Sequence, residues 1–179
     1  MRKDIWLKVF CSYTKDRSDV KAWLDEVEAL GQERAIEVAR KLTEARGRPP
    51  DAITLGFSPQ VLVGALALLP PGRRLYVITS PEVAAGKGPG ALSKRALDLF
   101  ADQVELLVAP FAPSQEKMPS EVVEALAEAL RRVRQAGAEV LDVSGGTQLV
   151  PLAAVRAGFR MLTYAYPTGQ KLVFYPFEV

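Results

Sequence analysis

The 179-residue chain has no histidine, no asparagine and a single cysteine, Cys11. Each absence removes a class of chemistry. Without histidine there is no Ser-His-Asp or Cys-His relay, no imidazole-bound metal and no imidazole acid–base catalysis. One cysteine permits neither an intrachain disulfide nor a Cys-x-x-Cys metal or redox site. Long apolar runs are also missing. The longest, Val61 to Leu69, is about half of what a membrane-spanning helix needs. The apolar stretch behind Arg2-Lys3 is only a few residues long, too short for a secretory signal. A cytoplasmic protein with no membrane partner is expected. A net charge of only +2 argues against wholesale binding to nucleic acid or a membrane surface. Loss of asparagine, with abundant arginine, leucine, alanine and proline, is the composition of a thermophile or of a GC-rich genome.

What remains is an ordinary globular composition, 49% hydrophobic and 25% charged, of single-domain length. A chain this long buries roughly 70% of its unfolded surface and needs no covalent staples. The first fifty residues read differently from the rest. They hold eleven Lys/Arg against nine Asp/Glu, and the remainder has twelve of each, so the whole positive excess lies here. Ile5-Trp6-Leu7-Lys8-Val9-Phe10 reads as a short strand. Val20, Trp23, Leu24, Val27 and Leu30 then share one helical face, with Ser18 as the expected cap. Gly31 kinks or splits that helix from a second run through Ala35, Val38, Ala39 and Leu42, which Arg46 to Pro50 ends. Trp6 and Trp23 read as packing residues. Residues 1–50 are thus an N-terminal strand and helical extension, with protein or DNA contact as its possible use.

From Asp51 strands and helices alternate. Strands are expected over Ala52–Leu55, Leu75–Thr79, Val104–Ala109 and Val140–Val143. Helices are expected over Pro59–Leu69, Leu92–Ala101, a long stretch capped by Ser120 and stopped by Gly137, and Leu149–Ala157. Arg160–Tyr166 and Lys171–Phe177 flank Pro167-Thr168-Gly169-Gln170 as a hairpin. The fold class is therefore α/β, a Rossmann-like, mostly parallel sheet with helices on both faces and a C-terminal β-hairpin. In doubly wound sheets the fourth strand crosses back beside the first, and ligands bind where the order reverses. That makes neighbours of two loops, Gly56 to Gln60 and Ser144 to Gln148.

Ser144-Gly145-Gly146-Thr147-Gln148 lies between a strand end and a helix start, where backbone N–H groups face an anion. The plainer role is a tight turn capped by Ser144 or Thr147. Gly56-Phe57-Ser58-Pro59-Gln60 repeats the arrangement. Ser58 caps its helix or touches a phosphate, and Phe57 stacks on a base or plugs the core. Thr79 and Ser80 end the second strand of this region. The loop that follows, with Gly86, Lys87, Gly88 and Gly90, lacks Walker A spacing. Lys87 and Lys94 are nevertheless within reach of a phosphate. Asp142 is placed to orient the Gly-Gly turn by accepting backbone N–H groups.

Leu55-Gly56-Phe57-Ser58-Pro59-Gln60, Tyr76-Val77-Ile78-Thr79-Ser80 and Leu141-Asp142-Val143-Ser144-Gly145-Gly146-Thr147-Gln148 resemble the CARF (CRISPR-associated Rossmann fold) domains, whose signature is Asp-x-Ser/Thr-Gly-Gly-Thr-Lys. The resemblance runs from Asp51 to Val179. It implies a homodimer that binds cyclic oligoadenylate, the second messenger of type III CRISPR antiviral defence. It also implies ligand contacts from the loops after the first and fourth strands, with Gly56, Phe57, Ser58 and Gln60 in one and Ser144, Gly145, Gly146, Thr147 and Gln148 in the other; Thr79 and Ser80, at the end of the second strand, are further candidate ligand contacts. Two departures stand out. Gln148 replaces the signature lysine, which in ring nucleases of the family helps stabilise the transition state. The fifty-residue N-terminal extension is also atypical.

The first expectation is a stand-alone cyclic oligoadenylate sensor. The second is a metal-independent ring nuclease, with Ser58 positioning the attacking 2′-hydroxyl and Lys87 or Lys94 supplying positive charge. The third is a nucleotide-responsive regulator of an unrelated ligand. A dinucleotide enzyme is disfavoured, because no Gly-x-Gly-x-x-Gly follows the first core strand. No cofactor and no metal is expected.

Overall fold

In the computed structural model, which describes residues 1–179, seven strands are present. They are Thr43–Ala45 (β1), Ala52–Leu55 (β2), Leu75–Thr79 (β3), Val104–Val108 (β4), Val140–Asp142 (β5), Met161–Thr168 (β6) and Lys171–Glu178 (β7). They form one sheet in the order β1-β7-β6-β5-β2-β3-β4. All neighbours are parallel except β6 and β7, which pair antiparallel as the expected hairpin. The order reverses between β2 and β5, as the doubly wound reading requires. Every residue of β2 and β5 is buried. Central parallel strands are covered on both faces, which is why these segments read as unbroken apolar runs rather than as alternation.

Helices cover both faces. On one side lie Lys3–Ile5 (α1), Arg17–Leu30 (α2), Gln32–Lys41 (α3), Gln60–Leu68 (α4) and Ala91–Leu99 (α6), the last preceded by the short Pro81–Ala84 (α5). On the other lie Pro119–Gln135 (α7) and Leu149–Arg156 (α8). Each layer has its own core against the sheet. Ile53, Leu55, Val77 and Phe174 pack with the first set, and Leu141, Ile78 and Leu162 with the second. No helix is long and apolar enough to cross a membrane.

The N-terminal residues depart most from expectation. Ile5–Phe10 is not a strand. Trp6–Cys11 forms a widened helical turn continuing α1, closed by the Ser12 N–H donating to the Leu7 carbonyl at 3.1 Å. Trp6, Val9 and Phe10 are all buried, a helical spacing that brings the three onto one side. Trp6 and Trp23 meet edge to face at 5.5 Å between ring centroids, with Phe10 5.5 Å from Trp6. Residues 1–50 do not stand apart from the rest. Their helices share the first core layer with α4, α6 and the sheet, and β1 extends the sheet beside β7.

Two further details differ. The α2 cap is Asp16, whose carboxylate accepts the Asp19 N–H at 3.1 Å, while Ser18 donates to Asp16 instead. Ser120 lies inside the first turn of α7. That helix is capped at Met118, whose N–H donates to the Glu121 carboxylate at 3.3 Å, and Pro119 occupies the position that tolerates a missing N–H. Gly31, at a φ of +85°, splits α2 from α3, one of the two outcomes expected of it.

Because the tryptophan cluster joins the N-terminal helices to the sheet layer, it is part of the main core. Trp23→Ala is expected to cost about 3–5 kcal/mol of unfolding free energy in a single cooperative urea transition. A loss below about 1 kcal/mol, or an early separate transition, would show that residues 1–50 fold independently.

Candidate functional site

The carboxyl ends of β2 and β5 lie side by side, and the loops that leave them touch backbone to backbone. A Cβ placed on Gly56 would stand 2.0 Å from the Gly145 carbonyl oxygen, and one on Gly145 would stand 2.0 Å from the Thr54 carbonyl oxygen. Neither position admits a side chain. The glycines here serve close approach of two chains, while Gly146 would drive a Cβ 2.2 Å from Val150 Cγ2 in α8.

Buried hydroxyls hold the first loop. Thr79 Oγ1 donates to the Leu55 carbonyl at 2.7 Å and Ser93 Oγ, from α6, to the Gly56 carbonyl at 2.6 Å. Thr54 Oγ1 donates across to the Asp142 carbonyl at 3.0 Å and ties the two strands together. The second loop is held by the Asp142 carboxylate, which is fully buried. It accepts the Ser144 N–H at 3.0 Å, the Ser144 hydroxyl, and Thr163 Oγ1 from β6 at 2.8 Å. Asp142 therefore orients the Gly-Gly turn. Burial pushes its carboxyl up to about 6, against the opposing pull of Ser144 and Thr163.

Above these loops opens a cleft of about 890 Å³. Its floor is Gly56, Phe57, Ser58, Ser144, Gly145 and Gly146, with Ser80 and Thr147 at its sides. Phe57 does not plug the core. It is 56% exposed and lines the cleft. Thr147 donates to the Phe111 carbonyl, and its Oγ1 accepts the Leu149 N–H at 3.3 Å, so it links the Phe111 loop to the start of α8. Ser80 accepts the Val83 N–H at the start of α5.

Five expected site residues lie outside this cleft. Thr79 is buried beneath it in the bond just described. Gln60 is fully buried, its Nε2 donating to the Val9 carbonyl at 3.2 Å and the Thr14 carbonyl at 2.8 Å. Its role is to pin the N-terminal segment to α4. Gln148 is exposed at the start of α8 but does not line the cleft. Lys94 forms an ion pair with Asp98 one turn along α6, and Lys87 is exposed on the glycine-rich loop. Neither lysine lines the cleft.

Residues not singled out in the sequence complete the walls. Tyr13, Lys15 and Arg17 come from the N-terminal segment, Lys117 from the loop before α7, and Tyr164 from β6. Tyr13 lines the cleft with both glycine loops. It shares the cleft lining with Ser58 and Ser144, and burial pushes the acidity of its hydroxyl far below that of a free phenol. Tyr13 is also the one non-glycine residue with a left-handed backbone, at a φ of +56°, which costs an L-residue about 1 kcal/mol or more. One carboxylate, Glu82, reaches the cleft against three cationic side chains. The only signal for this wall was the excess of positive charge in the first fifty residues. Cys11 is buried, its thiol pushed up to about 11, and does not reach the cleft. No three His, Cys, Asp or Glu side chains converge as a metal site would need.

No protein-family model matches this chain, and no curated protein matches it.

The buried Asp142 makes stability depend on pH. The folded state binds its proton more tightly than the unfolded chain does, since its carboxyl titrates near 6 rather than 3.8. Its contribution is therefore greatest below about pH 4 and is lost as pH rises through 6. The shift corresponds to about 3 kcal/mol at most. Subtracting the unfolding profile of Asp142→Asn from that of the wild type should isolate a fall across this window. A flat difference would place the carboxylate in contact with water. Gly145→Ala is expected to lower stability sharply, because the obstacle is the Thr54 backbone rather than a movable side chain. A melting temperature equal to wild type would disprove the backbone contact.

Proposed function

We propose that this cleft binds a cyclic oligoadenylate and that the protein is a homodimeric sensor of that messenger in type III CRISPR defence. The observation that carries the reading is the pair of backbone-packed glycine loops at the point of strand reversal, flooring a cleft with a cationic rim. Such loops present N–H groups to phosphate, and Lys15, Arg17 and Lys117 add charge of the required sign. Phe57 and Tyr164 offer exposed ring faces to adenine. The residues that resemble the CARF signature, from Asp142 to Thr147, are those that shape the floor.

The sensor reading calls for a second copy. Tyr164, Tyr166 and Phe177 are exposed on one face of the β6–β7 hairpin. Tyr164 also lines the cleft, so a partner docked on that face would close the site across a two-fold axis. A ring with rotational symmetry suits such a groove.

A second reading is a ring nuclease, favoured by the three hydroxyl-bearing residues Tyr13, Ser58 and Ser144 that line the same cleft. A ribose 2′-oxygen would attack the adjacent phosphorus. The P–O5′ bond would break, leaving a 2′,3′-cyclic phosphate, and the proton lost from the 2′-hydroxyl would be balanced by one gained at O5′. Alignment and charge stabilisation suffice for this chemistry. The sensor reading comes first because Gln148 stands where the signature lysine would be and lies outside the cleft.

Cyclic tri-, tetra- and hexa-adenylate are the test ligands. One of them should raise the melting temperature, since a ligand held only by the native state stabilises it by about 2.7 kcal/mol at a hundredfold excess over Kd. Thr147→Ala should weaken that binding by releasing the Phe111 loop. Light scattering should give twice 19.5 kDa. Cleavage, where seen, should persist in EDTA. No shift with any ring, or a monomer at micromolar concentration with and without ligand, would reject the sensor reading.

A further inference from the structure

The N-terminal segment supplies a wall of the cleft, and three features of that wall distinguish it from a surface turn. The first is its anchoring. Gln60 donates from α4 to carbonyls on both sides of Tyr13, at Val9 and Thr14, and Ser12 adds two bonds to the Leu7 carbonyl. A buried side chain from the first glycine loop therefore fixes this segment against that same loop. The second is the left-handed backbone at Tyr13, held where an aromatic residue is strained. That conformation accompanies a residue that lines the cleft together with Ser58 and Ser144 of the two glycine loops. The third is charge. Lys15 and Arg17 follow directly and line the cleft, and neither has a carboxylate partner. Arg17 instead donates to the Gly88 carbonyl at 3.0 Å, linking the wall to the glycine-rich loop. The intervening Asp16 is occupied in capping α2.

We infer that Tyr13, Lys15 and Arg17 form a phosphate-binding wall for a phosphodiester-linked nucleotide, with Tyr13 as the positioning residue and the two cations supplying the charge that the glycine loops lack. This rests on the cleft being a nucleotide site, but not on the nucleotide being cyclic. Lys15 and Arg17 line the same cleft as Gly145 and Gly146, so a phosphate bound there is offered backbone N–H groups and positive charge together. Lys117 lines the same cleft and is the third cation there without a carboxylate partner. The N-terminal fifty residues on this account are a component of the binding site, and they need contact neither DNA nor another protein to explain their charge.

The test uses the full chain with two probes, cyclic tetra-adenylate and linear 5′-phosphorylated tetra-adenylate, titrated calorimetrically at several salt concentrations. Each phosphate neutralised contributes roughly 0.7 to the slope of log affinity against log salt for a single strand. Lys15→Ala and Arg17→Ala are each expected to weaken binding about tenfold and to flatten that slope by one phosphate. Tyr13→Phe should weaken binding and leave the slope unchanged. Lys41→Ala, at the far end of α3, controls for net charge and should alter neither. Lys15 makes no hydrogen bond or ion pair in the free protein, so its variant should melt as wild type does, which separates lost binding from lost folding. Wild-type affinity and slope in both Lys15→Ala and Arg17→Ala would overturn the wall while leaving a cyclic ligand possible. Binding of the linear probe alone, still weakened by those changes, would support the wall and reject the cyclic reading. Binding of neither probe would overturn both.

Discussion

Gly56 and Gly145 pass each other so closely that neither position has room for a Cβ. This contact sets the geometry of everything above it. Strands β2 and β5 are adjacent through only two register pairs, Ala52 with Leu141 and Ile53 with Asp142. Beyond those pairs the chains turn to opposite faces of the sheet, one into α4 and the other into α8. The two loops remain in contact because the backbones themselves pack. Thr54 bonds across the gap, Ser93 fixes one loop from α6, and Asp142 fixes the other from beneath. The floor is thus rigid backbone supported by buried hydroxyls and one buried carboxyl, with few side chains of its own projecting into the cleft.

A floor of that kind offers N–H groups and shape but little charge. Charge comes from elements remote in the chain. The N-terminal segment reaches the site because its helices belong to the same core layer as α4 and α6, through Trp6, Phe10 and Trp23. Gln60 then couples the two structures, since the residue that begins α4 also holds the carbonyls flanking Tyr13. Its Oε1 is buried without a partner, and so are the indole N–H groups of both tryptophans. Unsatisfied buried polar atoms are destabilising. Their concentration at the junction between the N-terminal helices and the sheet layer shows that tight docking is maintained there despite that cost.

Much of the architecture was legible in sequence. Ala52–Leu55 and Leu75–Thr79 are strands at the expected residues, because short apolar runs bounded by Gly56 and by Ser80-Pro81 have few alternatives. The placement of β5 beside β2 followed from the doubly wound pattern. Ile5–Phe10 misled because six apolar-rich residues suit either state. The spacing of Trp6, Val9 and Phe10 favoured the helix, but only burial decides it. β1 was invisible, since Thr43–Ala45 is three residues long and exists through its pairing with β7. In the site, the glycine loops were legible because glycine marks backbone geometry directly. The walls were not. Tyr13, Lys117 and Tyr164 are distant in sequence and converge only through tertiary packing. Lys87 and Lys94 drew attention by lying near glycines, although Asp98, four residues after Lys94, already marked an ion pair on the helix surface.

The central claim is that ligand sits between the two glycine loops and the N-terminal wall. Backbone hydrogen exchange, followed by mass spectrometry with and without saturating cyclic oligoadenylate, tests it most directly. The account predicts slowed exchange in three separate peptides, covering Tyr13 to Arg17, Gly56 to Ser58 and Ser144 to Thr147, with little change in the groove between α3 and the Pro70–Arg73 turn. Protection confined to that groove, or to the hairpin face at Tyr166 and Phe177, would contradict it.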